Sequence, residues 1–417
     1  MNISRFFLIL GPGLLVAATG VGTGDLATGS FAGSMLGTAI LWAVLLGAFL
    51  KFIVTEGLAR WQLATGTSIL EGVARNLGRL PMLIFVPYLV LWSFFTASAM
   101  MSGCGVTLHA LIPIFEHVET GKIFFGTLSS IVGIGLVYAG GYRLFEKIMT
   151  VSIVLMFVTV VLTAALLWPG TGAVLQGILL PSIPDFSGSG LTWTVALIGG
   201  VGGTVTILSY GYWIREEGRT SRDDLAICRI DLGSAYIMTA IFGMSVVIIG
   251  SQIEVSGSGA MLIVAMADQL GIALGSFGRW MFLIGAAGAV FSSLLGVWQA
   301  TPYIFADSWR LFRNPPDKLG EIVPSKNPDT SAPIYRYYLL ALGLIPMLGL
   351  FFSFREVQKL YAITGAFFVP LLALALLLLN SRKKWVGAGY RNHAVTVMAL
   401  VATVAFFLWI AVTKLIA

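Results

Sequence analysis

The sequence predicts an all-α membrane protein that crosses the bilayer many times. Of its 417 residues, 57% are hydrophobic and only 11% are charged, and the mean hydropathy is +0.91. Soluble globular domains carry about 25% charged residues, so this composition excludes that class. A stretch of about 18 or more apolar residues is long enough to cross the hydrocarbon core as a helix.

Eleven apolar stretches of that length are candidate spans. They lie near residues 6–33, 36–58, 82–108, 122–140, 147–168, 191–214, 227–251, 274–303, 335–353, 359–380 and 393–414. The longest polar loop, near 307–336, is too short to form a core of its own. We therefore expect one integral membrane domain over residues 1–417.

The positive charges predict how the spans are oriented. With the N-terminus in the cytoplasm, most of the 25 Lys and Arg residues fall in cytoplasmic loops. The two long loops on the other side, near 169–190 and 252–273, contain no basic residue. The positive-inside rule therefore places the N-terminus in the cytoplasm and the C-terminus outside a cell membrane. The net charge of +6 follows from these loops, and we expect no nucleic-acid partner.

Residues typical of catalysis or metal storage are sparse. Cys104 and Cys228 lie far apart in or beside apolar segments, and the three histidines have no partner at helical spacing. The chain also lacks the G-x-x-x-x-G-K-[ST] loop that binds nucleotide phosphates. We expect no enzymatic activity, no disulfide and no resident cofactor.

Glycines interrupt the first and the sixth candidate spans. The runs are GVGTGD at 20–25 and GGVGGT at 199–204. Glycine inside a helix costs about 1 kcal/mol relative to alanine. Unwound backbone at membrane depth is tolerated only where protein or a water-filled cavity satisfies its polar groups. A pair of such breaks in corresponding positions of two halves indicates a secondary transporter with its site near the bilayer midplane.

The two breaks also predict an internal repeat. Each half begins with an interrupted helix, and an odd number of spans per half gives the halves opposite orientations. We place the first repeat at about 6–168 and the second at about 191–380. The eleventh span, near 393–414, lies outside the repeat.

Short motifs along the first 250 residues resemble the Nramp divalent-metal transporter family. They are GPGLLVA at 11–17, LW at 41–42, EGLAR at 56–60, ATG at 64–66, GGTV at 202–205 and RID at 229–231. The resemblance implies a LeuT-type fold, with ten helices in two inverted five-helix repeats. It also implies that ions bind between the unwound parts of helices 1 and 6.

The sequence departs from that family at the binding motifs. The family's D-P-G-N becomes GTGD at 22–25, so one carboxylate remains, at Asp25. The sixth-span M-P-H-N becomes TILS at 206–209, which removes a thioether and a histidine. No Asp or Glu occurs at 81–113, in the third span, where typical members have acidic residues for proton passage. We therefore expect the usual proton pathway to be absent.

The candidate binding residues offer oxygen ligands or exposed main chain. They are Thr19, Gly22, Thr23, Gly24, Asp25, Thr28, Gly202, Gly203, Thr204, Thr206 and Ser209. An isolated carboxylate in a membrane span costs about 2.5 to 3.5 kcal/mol, so Asp25 is the candidate metal ligand. Two purely structural explanations are also possible. Asp25 could serve solely as the N-cap of the second half of the first span. The glycines could serve to permit close helix packing, as we expect for Gly33 and Gly105.

Oxygen ligands favour a hard and partly hydrated divalent cation, Mg²⁺ or Mn²⁺. An alternative begins with the half-helix N-termini, whose free N–H groups attract anions. On that reading a small anion such as bicarbonate is carried with Na⁺. An organic-solute carrier or a channel is a third possibility. In each case we expect a monomer whose partners are a small solute and membrane lipid.

Overall fold

The computed structural model describes residues 11–186, 188–253, 261–314, 316 and 326–416, and within these ranges it contains helices and no strand. The first half of the chain forms α1 (Pro12–Gly20), α2 (Thr23–Leu36), α3 (Leu41–Thr65), α4 (Ile69–Leu77), α5 (Leu80–Leu111), α6 (Val118–Leu166) and α7 (Thr171–Leu179). The second half forms α8 (Ser189–Gly200), α9 (Ser209–Glu216), α10 (Leu225–Gly250), α11 (Leu262–Arg313), α12 (Pro333–Leu344), α13 (Phe354–Ala366), α14 (Phe368–Asn380), α15 (Lys383–Val386) and α16 (Ala394–Ile416).

The predicted spans correspond to these helices. The first span consists of α1 and α2, the sixth of α8 and α9, and the tenth of α13 and α14. Within the described ranges, nine helices are long and apolar enough to cross a membrane, and the apolar helix Ala394–Ile410 is shorter. The all-helical polytopic fold is thus confirmed, whereas the limits of the two repeats remain predictions.

The predicted outer loops contain helical structure that the sequence reading missed. Helix α7 occupies part of the loop near 169–190, and α11 already begins at Leu262, inside the loop near 252–273. Gly275, with φ +67°, separates the first part of α11 from its membrane-spanning part. Both segments are apolar but short, so a search for membrane-length stretches passes over them.

The sixth span lies at the centre of the molecule. Of its most apolar window, 89% is buried within the protein, compared with 33% for the fourth span, Val118–Ala139. Helix α8 packs against α2, α3 and α13. The two interrupted spans are therefore surrounded by protein, which is the condition for unwound backbone at membrane depth.

Two buried carboxylates, Glu56 and Asp231, form ion pairs at the ends of the helices around this centre. Glu56 forms ion pairs with Arg60 at 3.3 Å and Arg229 at 2.8 Å.

Asp231 pairs with Arg219 at 2.9 Å and accepts hydrogen bonds from the Gly13 N–H at 2.9 and 3.0 Å. It also accepts one from the Tyr210 hydroxyl at 3.0 Å. Both acidic residues therefore have structural partners at the helix ends.

Close helix packing explains some of the glycines outside the breaks. A Cβ atom at Gly33 would lie 2.3 Å from the carbonyl oxygen of Val247. One at Gly105 would lie 2.1 Å from the carbonyl oxygen of Lys122. These two glycines allow neighbouring helices to approach more closely than any larger residue would permit.

Candidate functional site

The break in the first span is short. Helix α1 ends at Gly20 and α2 begins at Thr23, so only Val21 and Gly22 lie between the two half-helices. Gly22 is the N-cap of α2, and no side chain caps this helix end. The explanation of Asp25 as an N-cap is therefore wrong, because the helix begins two residues before it.

The Asp25 side chain joins the two breaks. It lies in the first turn of α2 and is only 2% exposed. Its carboxylate oxygens accept from the main-chain N–H of Gly202, at 3.3 Å to Oδ1 and 3.1 Å to Oδ2. Burying a carboxylate is costly, and this contact with free main chain compensates part of that cost.

The break in the sixth span is longer and more open. Helix α8 ends at Gly200, the 3-10 helix Val205–Leu208 follows the gap, and α9 begins at Ser209. Gly202 and Gly203 have φ of +74° and +88°, which side-chain-bearing residues rarely adopt. The glycine pair therefore produces a local reversal of the backbone that leaves several carbonyl and N–H groups without helical partners.

The two breaks are in direct contact. A Cβ atom at Gly20 would lie 2.5 Å from both the carbonyl carbon of Gly202 and the nitrogen of Gly203. Only a residue without a side chain permits this approach of the first span to the sixth. The main-chain groups freed in each break thus converge on one place, beside Asp25.

A buried lysine, which the sequence analysis passed over, binds the sixth-span break. Lys51 of α3 has 0% exposure. Its ammonium group donates to the carbonyl oxygens of Gly199 at 2.7 Å, Val201 at 3.3 Å and Gly203. The rule that singled out Asp25, the cost of a charge inside a span, applies equally to Lys51 and could have identified it.

The threonines of the candidate set bond to different parts of the protein. The Thr19 hydroxyl donates to the Leu15 carbonyl of its own helix at 2.7 Å, whereas the Thr19 carbonyl accepts from Ser293 at 2.6 Å. The Thr204 hydroxyl accepts from the indole N–H of Trp92 at 2.9 Å. Thr206 lies beside Gly203, with its hydroxyl oxygen 3.0 Å from the Cβ position there.

The remaining candidates have fewer contacts. The hydroxyl oxygens of Thr28 and Ser209 are buried and have no hydrogen-bond partner within the described part of the chain. Gly24 faces the phenol of Tyr361, whose oxygen lies 2.6 Å from the Cβ position. The side chain of Thr23 lies outside the described residues.

Two further residues close to the first break come from other spans. The hydroxyl of Ser293 in α11 donates to the Thr19 carbonyl and also reaches, at 3.3 Å, the thioether sulfur of Met100 in α5. A thioether therefore stands near the site although the sixth span supplies none. Among the described residues, no group of three His, Cys, Asp or Glu side chains could hold a metal ion.

Fold and site together define a multi-span membrane protein in which two interrupted helices meet at a buried carboxylate. A sequence model of the Nramp family, described as natural resistance-associated macrophage protein-like, matches residues 13–417. The chain therefore belongs to the Nramp family, whose members are transporters rather than enzymes.

Individual relatives are distant. An uncharacterised protein of Pasteurella multocida is 23% identical over 282 residues, which cover 66% of this chain and 63% of that protein. The divalent metal cation transporter MntH of Chromohalobacter salexigens is 26% identical over 175 residues, which cover 42% of this chain and 40% of MntH. The matched regions thus span less than two thirds of both relatives.

Solved structures support the fold over nearly the whole chain. A mutant of the Eremococcus coleocola manganese transporter matches with a TM-score of 0.71 and 16% identity, covering 97% of this chain and 86% of the other. MhsT in complex with L-phenylalanine matches with a TM-score of 0.61 and 16% identity, covering 96% and 97%. The fold is therefore LeuT-type, as the resemblance in the sequence predicted.

Proposed function

We propose that this protein is a secondary-active carrier that moves a hard divalent metal cation, Mg²⁺ or Mn²⁺, across the cell membrane by alternating access. The cation binds between the two helix breaks, with Asp25 as its acidic ligand. The observation that carries this proposal is the position of the Asp25 carboxylate, buried where both breaks meet and bonded to Gly202. The relatives named for divalent metal or manganese transport agree with it.

The ligand chemistry favours a cation that keeps part of its water shell. One carboxylate, the main-chain carbonyls of the breaks and the Thr206 hydroxyl provide oxygen only. Mg²⁺ is typically bound by one or two carboxylates and retains several waters. The Met100 thioether, reached through Ser293, is the feature that keeps the softer Mn²⁺ as a candidate.

Helix α5 contains no acidic residue, so we propose that protons do not follow the third-span route of typical Nramp members. The charge distribution favours a cytoplasmic N-terminus and an external C-terminus. We also propose that a single chain is the transporting unit, since both breaks of the site belong to one chain.

The decisive experiment measures uptake by the purified protein in liposomes. Mg²⁺ and Mn²⁺ uptake is compared between the native protein, Asp25→Asn and a control, Asp268→Asn, whose carboxylate is exposed and paired with Arg279. We expect Asp25→Asn to lower uptake at least about 100-fold, because loss of a group that only supports a metal ligand already costs about 10- to 100-fold, and the control to retain uptake. Native protein that takes up neither cation, or an Asp25→Asn variant as active as the control, would refute the proposal.

A second candidate function is Na⁺-coupled transport of a small anion such as bicarbonate. The specific observation in its favour is the ammonium group of Lys51 at the sixth-span break, beside the N–H of Gly202. The same liposomes test it when bicarbonate uptake is measured with and without a Na⁺ gradient. Counterflow of labelled substrate distinguishes either carrier from a channel, and a solute panel tests for an organic substrate.

A further inference from the structure

The Lys51 ammonium group is arranged like a coordinated cation. A lysine ammonium has three N–H donors, and Lys51 places its Nζ against three carbonyl oxygens, those of Gly199, Val201 and Gly203. Gly199 lies in the last turn of α8, and Val201 and Gly203 lie in the break that follows it. Main-chain carbonyls that are free of helical hydrogen bonds are also the ligands that hard metal cations use.

The charge of Lys51 is balanced by main-chain carbonyl dipoles and by the nearby charge of Asp25. In the described part of the chain, no ion pair joins Lys51 to a carboxylate, and its side chain is fully buried. The Asp25 carboxylate binds the N–H of Gly202, which lies in the chain between Val201 and Gly203, two of the residues whose carbonyls accept from Lys51. The backbone of the sixth-span break is therefore stabilised by two charged side chains, the Asp25 carboxylate at an N–H group and the Lys51 ammonium at the carbonyl oxygens.

We propose that these three carbonyls form a main-chain cation site and that the Lys51 ammonium fills it as a tethered cation. A hard metal cation reaches the carbonyls only when Lys51 withdraws, which its flexible four-carbon stem allows. The identification of that metal cation with the transported one rests on the function proposed above. The lysine thus keeps the break ordered in the unloaded carrier and competes with the metal for the same oxygen atoms.

Thermal melting of the purified full-length protein in detergent tests this site without requiring transport. The melts are recorded over a range of MgCl₂ and MnCl₂ concentrations for native protein, Lys51→Met, Lys51→Gln and Lys51→Arg. Lys122→Met is the control, because Lys122 is also buried and its ammonium donates to a main-chain carbonyl, that of Phe352 at 2.7 Å, although it also pairs with Glu119.

We expect Lys51→Met and Lys51→Gln to melt at lower temperature than native protein in the absence of divalent metal. Added Mg²⁺ or Mn²⁺ then restores them, with half the shift reached at a metal concentration at least about tenfold lower than native protein needs, because the competing charge is gone. Lys51→Arg and Lys122→Met should require the same metal concentration as native protein.

Lys51 variants that respond to metal no better than native protein would overturn the inference. So would a failure of both uncharged variants to fold at any metal concentration, since a metal that can bind the carbonyls should replace the ammonium. Liposomes in which native protein carries no divalent cation would instead contradict the proposed function. The melting data judge the cation site independently of that result.

Discussion

The two helix breaks differ in length and in what holds them. The break in the first span comprises two residues, and Ser293 binds the carbonyl of Thr19 just before it. The break in the sixth span has four residues and two glycines at positive φ, and charged side chains from two other helices bind it.

The two breaks therefore contribute different chemical groups to the candidate site. The first span contributes a charged side chain, Asp25, and remains nearly helical. The sixth span contributes main-chain groups, and its backbone is bent further to expose them. Substitutions at the breaks and at their contacts therefore test this comparison.

The largest effect is expected where the breaks touch. Gly20→Ala places a Cβ atom 2.5 Å from the backbone of Gly202 and Gly203, which cannot move away as a flexible side chain could. Overpacking of this kind costs about 3 kcal/mol, and we expect a large loss of thermal stability together with uptake. Gly200→Ala is the control, because no atom lies within 4 Å of its Cβ position. Equal melting temperatures for the two variants would show that the breaks are not in contact.

A smaller effect is expected from the backbone reversal in the sixth span. Gly203 has φ +88°, so Gly203→Ala should cost about 1 to 2 kcal/mol of stability through backbone strain. The Cβ atom would also crowd the Thr206 hydroxyl at 3.0 Å. Melting curves and cation uptake should both decline relative to Gly200→Ala. A variant with native stability would mean that the sixth span can expose its carbonyls without this conformation.

The smallest effect concerns the support of the first break. Ser293→Ala removes the hydrogen bond to the Thr19 carbonyl, which should cost about 1 kcal/mol. Because this break carries no tethered cation, we expect the loss to lower stability with little change in metal affinity. Ser245→Ala is a suitable control, since among the described residues its hydroxyl bonds to the Ile241 carbonyl of its own helix and to no other group. A strong change in metal affinity for Ser293→Ala would show that the serine takes part in binding.

The sequence predicted features that are local and missed those that depend on which helices cross. Glycine runs and a lone acid inside apolar segments identified both breaks and Asp25, because the cost of such residues in lipid is independent of the rest of the fold. The contacts of Thr204 with Trp92 and of Gly24 with Tyr361 could not be predicted, since they join residues far apart in the chain.

Lys51 belongs to a third group, the features that could have been recognised. It is a basic residue inside an apolar span, and its cost in the membrane is comparable to that of Asp25. What the sequence could not provide was its partner, because three carbonyl groups leave no signature in the side chains. The cation site exists only because the fold packs α3, which carries Lys51, against the carbonyl groups at the sixth-span break.

The carboxylate of Asp231 has a consequence for how the molecule can move. It binds the N–H of Gly13 in α1, the hydroxyl of Tyr210 in α9 and the guanidinium of Arg219 after α9. The half-helices on one side of the breaks are thereby linked to each other and to α10. We expect them to tilt together as one rigid unit during the transport cycle, with the two breaks, residues 21–22 and 201–204, acting as hinges.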